Sequence, residues 1–145
     1  MLKNIPLCLS PDLLKTLAEM GHGDKIVLGD AFFASASMAK NNRLIRADGL
    51  SSLVLMDAIL QLMPLDTWVE SAVTALGQAE GNGFVPAEMT RQYQALIEKY
   101  EPQAAKTIKL VDRFAFYDIA KQAFAVVATG ETEPYGCVVL QKGVK

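Results

Sequence analysis

Helix signals and short, apolar strand signals alternate regularly along this chain, and few folds accommodate that alternation. Ser10 is placed to cap a helix with Pro11 at its first position. Leu13, Leu14, Leu17 and Met20 then recur at helical spacing until Gly21 offers a left-handed stop. Lys25-Ile26-Val27-Leu28-Gly29 follows, a continuous apolar run of strand length that reads as a buried strand ending at Asp30. Residues 34–42 are small and polar, as a loop is, and residues 44–49 form a second strand closing on the turn pair Asp48-Gly49. Ser51 or Ser52 starts the next helix, whose residues 53–62 are apolar almost all round and so demand burial on several sides, and Pro64 ends it.

The same exchange continues to the end of the chain. Residues 67–76 carry Trp, Val and Thr and predict a strand, and residues 77–83 are turn-rich and predict a loop. Pro86 opens a helix to about Tyr100, bounded by Pro102, before an alternating strand over 106–111. A helix over 113–122, a strand over 124–129 closed by Gly130, and a last strand over 137–140 complete the pattern. Such alternation predicts an α/β fold: one three-layer domain over residues 1–145, with a largely parallel central sheet and helices on both faces. Ligands of such sheets favour the carboxyl ends of the strands, where Asp30 and the residues after Val111 fall.

Bulk composition narrows the partners. A length of 145 residues, 51% hydrophobic, suits a single compact core. Lys and Arg total 14 against 16 acidic residues, without the basic stripe of a nucleic-acid binder, so no nucleic-acid partner is expected. The opening residues 1–6 lack the apolar core of a signal peptide, which points to a cytoplasmic protein. The most apolar stretch, residues 53–65, contains Asp57 and Pro64 and falls short of the ~20 residues that span a bilayer, so no membrane partner is expected. Cys8 and Cys137 lie far apart without CxxC spacing and read as buried small hydrophobes rather than a disulfide.

His22 is the only histidine, which removes HExxH and clustered-imidazole metal sites, and neither GxGxxG nor GxxxxGK[ST] occurs. No metal, nucleotide or other cofactor is therefore expected. An imidazole titrates near neutral pH, and Gly21 and Gly23 free the backbone to project the ring from a helix end, as a proton donor or acceptor requires. The bland alternative is a surface or capping histidine. Asp30 closes an apolar strand, where a buried carboxylate needs a partner, either a ligand hydroxyl or His22, unless it caps the following turn. Helix and strand together are expected to bring Asp30 back beside His22.

Arg113 and Tyr117 stand four residues apart on one helical face, a fork of donors beside a phenol and a stacking ring, or simply an Arg packed over a Tyr. Pro134-Tyr135-Gly136-Cys137 precedes the last strand as a turn that exposes main-chain N–H groups and the Tyr135 hydroxyl. Trp68, near Asp66 and Glu70, reads as core or interface packing.

Glu19-Met20-Gly21-His22-Gly23-Asp24, Asp30-Ala31, Ile45-Arg46-Ala47-Asp48-Gly49-Leu50, Arg113-Phe114-Ala115-Phe116-Tyr117, Thr129-Gly130-Glu131 and Pro134-Tyr135-Gly136 come in an order and spacing that resemble the L-fucose mutarotase family. The resemblance runs from about residue 2 to residue 144. Its Arg-Ala-Asp-Gly and Arg-Phe-Ala-Phe-Tyr segments fit fucose mutarotases better than the related D-ribose pyranase branch.

The resemblance implies an isomerase that interconverts the α and β anomers of L-fucose or a similar monosaccharide, without cofactor, by acid-base ring opening and closure. It makes His22 the proton donor and places Asp30, Arg113, Tyr135 and Gly136 in the binding site, with Tyr117 added to the catalytic group and Cys137 contributing main chain. It also implies a ring-shaped homo-oligomer, typically a decamer, with sites near subunit contacts. Phe32, Ala34 and Cys137 depart from the family's usual His or Asn, Pro and Asn, so the pocket is expected to be less polar. Two non-enzymatic readings use the same residues: a monosaccharide-binding accessory protein for uptake or regulation, and a purely structural assembly protein.

Overall fold

The computed structural model describes residues 2–104 and 107–145. Its first helix, α1 (Pro11–Glu19), is capped as the sequence predicts: the Ser10 hydroxyl accepts the Leu13 N–H at 3.2 Å. The helix buries Leu13, Thr16 and Leu17. Its far end differs from expectation, because Met20 leaves in an extended conformation and Gly21 adopts no left-handed turn. The Lys142 ammonium donates to the Leu17 and Met20 carbonyls at 2.7 and 2.6 Å, satisfying acceptors that a left-handed cap would otherwise serve. The left-handed residue is Gly23, with φ 87°, where the chain turns into the next strand.

The elements that follow are β1 (Lys25–Gly29), α2 (Ser35–Met38), β2 (Arg43–Ala47), α3 (Ser52–Leu60), β3 (Val73–Leu76), β4 (Gln78–Glu80), β5 (Gly83–Val85) and α4 (Glu88–Tyr100). A 3-10 turn over Pro102–Ala104 leads on to β6 (Lys109–Val111), α5 (Arg113–Gln122), β7 (Ala125–Thr129) and β8 (Val138–Gln141). Six strands form one sheet in the order β2-β7-β1-β8-β3-β6. β2, β7 and β1 are mutually parallel, as are β3 and β6, whereas β8 runs antiparallel between β1 and β3.

Side-chain alternation then builds two cores. Ile26, Leu28, Ala125, Val127, Val138 and Leu140 face α1, α3 and α4, while Val27, Val126 and Val139 face α2 and α5. Strands covered on both faces read as unbroken apolar runs, which is why Ile26, Val27 and Leu28 are all fully buried. Each such side chain contributes ~1.5–3 kcal/mol by leaving water. Nearly uniform apolarity in α3 has the same cause, since Leu55, Met56, Ala58, Ile59 and Leu60 are all buried.

Three loop and strand expectations are corrected. Residues 67–72 are not a strand: Asp66 Oδ1 accepts the Trp68 N–H at 2.9 Å, an Asx turn that takes a donor a strand would need. The stretch 77–83 is not loop throughout but opens the β4/β5 hairpin, in which Ala79 pairs with Phe84. Residues 34–42 contain the single turn α2. Of the strand expected over 106–111, Lys109–Val111 pairs with β3, and Lys106 lies outside the described residues. Among the described residues no helix is long and apolar enough to cross a membrane.

This topology sorts the candidate residues. The carboxyl ends of β1, β2, β3, β6 and β7 lie along one edge of the sheet, and antiparallel β8 begins there, Val138 pairing with Leu28. Asp30, Asp112, Gly130 and Cys137 therefore gather on one edge. The opposite edge receives His22, just before β1, and Lys142, just after β8.

Candidate functional site

At the carboxyl edge Asp30 is buried, 8% exposed, where β1 leaves the sheet. Its N–H points at the Cys137 sulfur, 3.4 Å away, and its Oδ1 accepts the Phe32 N–H at 3.0 Å. The Cys137 thiol also lies against the Asp30 side chain. The Ala31 N–H donates to the Glu131 carbonyl at 2.7 Å, tying this loop to the end of β7.

Gly136 closes over Asp30 because nothing larger fits. A Cβ there would lie 2.7 Å from Glu131 Cγ and 3.2 Å from Asp30 Cβ. Its neighbour Tyr135 holds φ at 60°, a left-handed conformation uncommon outside glycine and of the kind that collects at ligand sites, and its side chain is partly exposed.

Arg113 and Tyr117 reach the same edge from α5, whose first turn Asp112 caps by accepting the Ala115 N–H at 2.8 Å. The Arg113 guanidinium lies 5.0 Å from the Phe114 ring and 6.0 Å from the Tyr117 ring, and it makes no ion pair among the described residues. Tyr117 packs at 5.6 Å against Phe33, the residue that would block any side chain at Gly29, at the foot of the Asp30 loop. Asp30, Arg113, Tyr117 and Tyr135 thus lie along the same edge of the sheet. A recess of about 290 Å³ opens beside Asp30, lined by Phe33, Ser35, Thr129 and the Arg46–Asp48 pair.

Cys137 is a different matter. Its side chain is 1% exposed, and burial, then the charge of Asp30, push its thiol well above the usual range. It is a neutral spacer beneath Asp30 and presents no polar side chain to a ligand. Phe32, by contrast, shows its ring to solvent beside Asp30.

Sequence reasoning missed the scaffold beneath this edge. The Tyr93 phenol donates to the Gly136 carbonyl at 2.5 Å and meets the Ser52 hydroxyl, which donates to Glu131 Oε2 at 3.1 Å. The Ser52 N–H also bonds Glu131 Oε2, and the Glu133 N–H bonds its Oε1. Burial, relieved in part by Ser52, pushes the Tyr93 phenol above its ordinary range, so it stays a neutral donor. Tyr93 is hidden in the sequence because its spacing on α4 is that of an ordinary core residue. Thr129-Gly130-Glu131 stood in the sequence pattern without a role, and Glu131 is the hub.

His22 lies elsewhere. The expectation that Asp30 returns beside it fails, because the two flank β1 at opposite ends, and five strand residues rise ~15 Å. Two other groups stand against His22. Its Nε2 is 3.1 Å from Asp66 Oδ2, and the Trp68 ring meets it edge-on, centroids 4.7 Å apart at 88°. Asp66 is 3% exposed and also accepts from Gln141 Nε2 at 2.9 Å.

Burial raises the Asp66 carboxyl, but the Trp68 N–H, the Gln141 amide and His22 outweigh it, and the net result lies below the ordinary value. A depressed folded-state value adds stability above the unfolded-state value of about 3.9, and that contribution disappears as pH falls through the folded-state value. Urea midpoints measured from about pH 5 to pH 3 are therefore expected to drop more steeply for the wild type than for Asp66→Asn. Parallel slopes would show that Asp66 contributes nothing to acid sensitivity.

Among the described residues no three His, Cys, Asp or Glu side chains converge as a metal site requires. Residues 3–145 match the RbsD / FucU transport protein family. The chain is 47% identical over 145 residues to the fucose mutarotase of Mus musculus, covering 98% of this chain and 94% of that protein. It superposes on the crystal structure of the Streptococcus pneumoniae fucose mutarotase in complex with L-fucose with a TM-score of 0.86 and 44% identity, covering 99% of each chain. Bacillus subtilis RbsD complexed with D-ribose is further away, with a TM-score of 0.71 and 28% identity, over 100% of this chain and 99% of that one. With its sheet order, its two helical layers and nearly its whole length accounted for in this way, the chain belongs to the RbsD / FucU family.

Proposed function

We propose that this chain is a cofactor-independent mutarotase, acting in the cytoplasm as one domain, that interconverts the α and β anomers of L-fucose or a closely similar monosaccharide. The observation that carries the reading is the carboxyl edge, where the buried Asp30 carboxylate, the Arg113 guanidinium and the exposed Tyr135 gather, with a recess of about 290 Å³ beside Asp30. These are the donors and acceptors that a ring of hydroxyls needs. The higher identity to the L-fucose complex than to the D-ribose complex supports the choice of sugar.

In this mechanism the anomeric hydroxyl loses its proton to a base while the ring oxygen gains one from an acid, and the bond between C1 and the ring oxygen breaks. The open-chain aldehyde rotates about C1–C2 and closes with the proton movements reversed, so nothing is consumed. His22 supplies the proton, Asp30 holds the sugar through its carboxylate, Arg113 and Tyr135 grip neighbouring oxygens, and Tyr117 lines the wall. Gly136 and Cys137 contribute main chain alone.

Opposite ends of β1 cannot serve one sugar, which is smaller than the strand is long. The reading therefore includes a homo-oligomer, a closed ring of the decameric kind, in which the His22 edge of one copy completes the Asp30 edge of the next. Wild-type protein is expected to accelerate anomer exchange of L-fucose, read by magnetization-transfer NMR, more than that of D-ribose. His22→Ala and Asp30→Asn are each expected to be inactive, yet an equimolar co-assembled mixture should regain about a quarter of wild-type exchange, because random pairing restores that share of sites. Tight sugar binding without exchange would replace this reading with that of an accessory binding protein. A mixture as inactive as its parts would place both residues in one chain's site.

A further inference from the structure

Resting on the reading just given, we infer that Asp66 is the positioning residue of the catalytic acid, fixing His22 with its proton on Nε2 so that Nδ1 is the atom that exchanges a proton with the sugar. Three geometric facts carry this. Asp66 Oδ2 stands 3.1 Å from Nε2, an ionised carboxylate accepts but never donates, and so the nitrogen facing it bears hydrogen. The carboxylate cannot swing away: it is 3% exposed, with Oδ1 held by the Trp68 N–H and Oδ2 by Gln141 Nε2. Trp68 packs edge-on against the imidazole, and its own main chain is anchored by the same Asp66, so one buried acid sets both the hydrogen bond and the packing that orient the ring.

Nδ1 is left without a hydrogen bond among the described residues, on a side chain 35% exposed. During turnover Nδ1–H passes to the ring oxygen as the C1–oxygen bond breaks. The imidazole is then neutral, with its remaining proton still on Nε2 toward Asp66; on ring closure the hydroxyl formed from the ring oxygen returns its proton to Nδ1, while the base gives the anomeric proton back to the carbonyl oxygen. A carboxylate that holds the opposite nitrogen through both states is how a histidine keeps one face for chemistry.

The test exploits His22 being the chain's only histidine, which gives a single imidazole spin system. In wild-type protein labelled with ¹⁵N-histidine, long-range ¹H–¹⁵N correlation above neutral pH should show Nε2 protonated and Nδ1 bare. Asp66→Asn can turn a donor toward Nε2 and is expected to mix the tautomers. It should lower kcat for L-fucose exchange about 100-fold while changing KM less than about threefold, since only the proton-transfer step depends on the tautomer.

A wild-type ring protonated on Nδ1 overturns the inference, and so does an Asp66→Asn enzyme within about threefold of wild-type kcat. If that variant does not assemble, the wild-type tautomer decides by itself. Full activity in His22→Ala would instead sink the proposed acid, an outcome separate from the tautomer measurement.

Discussion

Replacing His22 by alanine is expected to slow anomer exchange of L-fucose by ~10²–10⁴-fold, the range that a well-placed general acid contributes. The fold should survive. Although the change removes one partner of Asp66, the carboxylate keeps the Trp68 N–H and the Gln141 amide, so about 1 kcal/mol of stability is at stake. Exchange is measured by saturating one anomeric proton of L-fucose and following transfer to the other, alongside a urea melt of the same preparation. Undiminished exchange would remove His22 from the mechanism. Lost exchange with a collapse in stability would mean that the residue is structural. The prediction is the pairing of a large kinetic effect with a small thermodynamic one.

Phe116→Ala is expected to do the reverse, costing about 3–5 kcal/mol of stability, as other fully buried aromatics do when cut to a methyl. Phe116 packs from α5 onto the sheet, 0% exposed, and its ring meets Phe33 edge-on at 5.5 Å. In a chain of this size such a loss lowers Tm by on the order of 10 °C. Because Phe33 also packs on Tyr117 and on the foot of the Asp30 loop, exchange should fall as well, with KM rising as the binding wall loosens. Urea denaturation of wild type and variant decides the matter. A cost under about 1.5 kcal/mol would mean that this face can repack without its aromatic pair.

Much of the architecture was legible residue by residue. Ser10-Pro11 marked the start of α1, the apolar run over Lys25–Gly29 gave β1 with both ends correct, and Arg113–Gln122 matched α5 because Asp112 caps it where the pattern begins. Signals failed where a distant group took over a local role. Gly21 is not the left-handed stop, since Lys142, far along the chain, caps the α1 carbonyls. The Trp, Val and Thr around residue 68 suggest a strand, yet the Asp66 carboxylate captures the Trp68 N–H first. Direction was hidden too: nothing in the apolar run Val138–Gln141 distinguishes a strand lying antiparallel from a parallel one.

The candidate site divides the same way. Which side chains are available was readable from the residues alone: one histidine, a carboxylate ending a buried strand, Arg and Tyr at helical spacing, and a Tyr-Gly turn. Periodicity and composition are local properties, and local properties identify such groups. Which of them stand together depends on the folded chain. It drew Asp30, Arg113, Tyr117, Tyr135 and Gly136 to one edge over a Ser52–Tyr93–Glu131 scaffold, and it set His22 at the other edge against Asp66 and Trp68. The physical reason is the strand itself. Its rise is rigid, so two residues that flank β1 are held apart by its whole length, however close they stand in sequence.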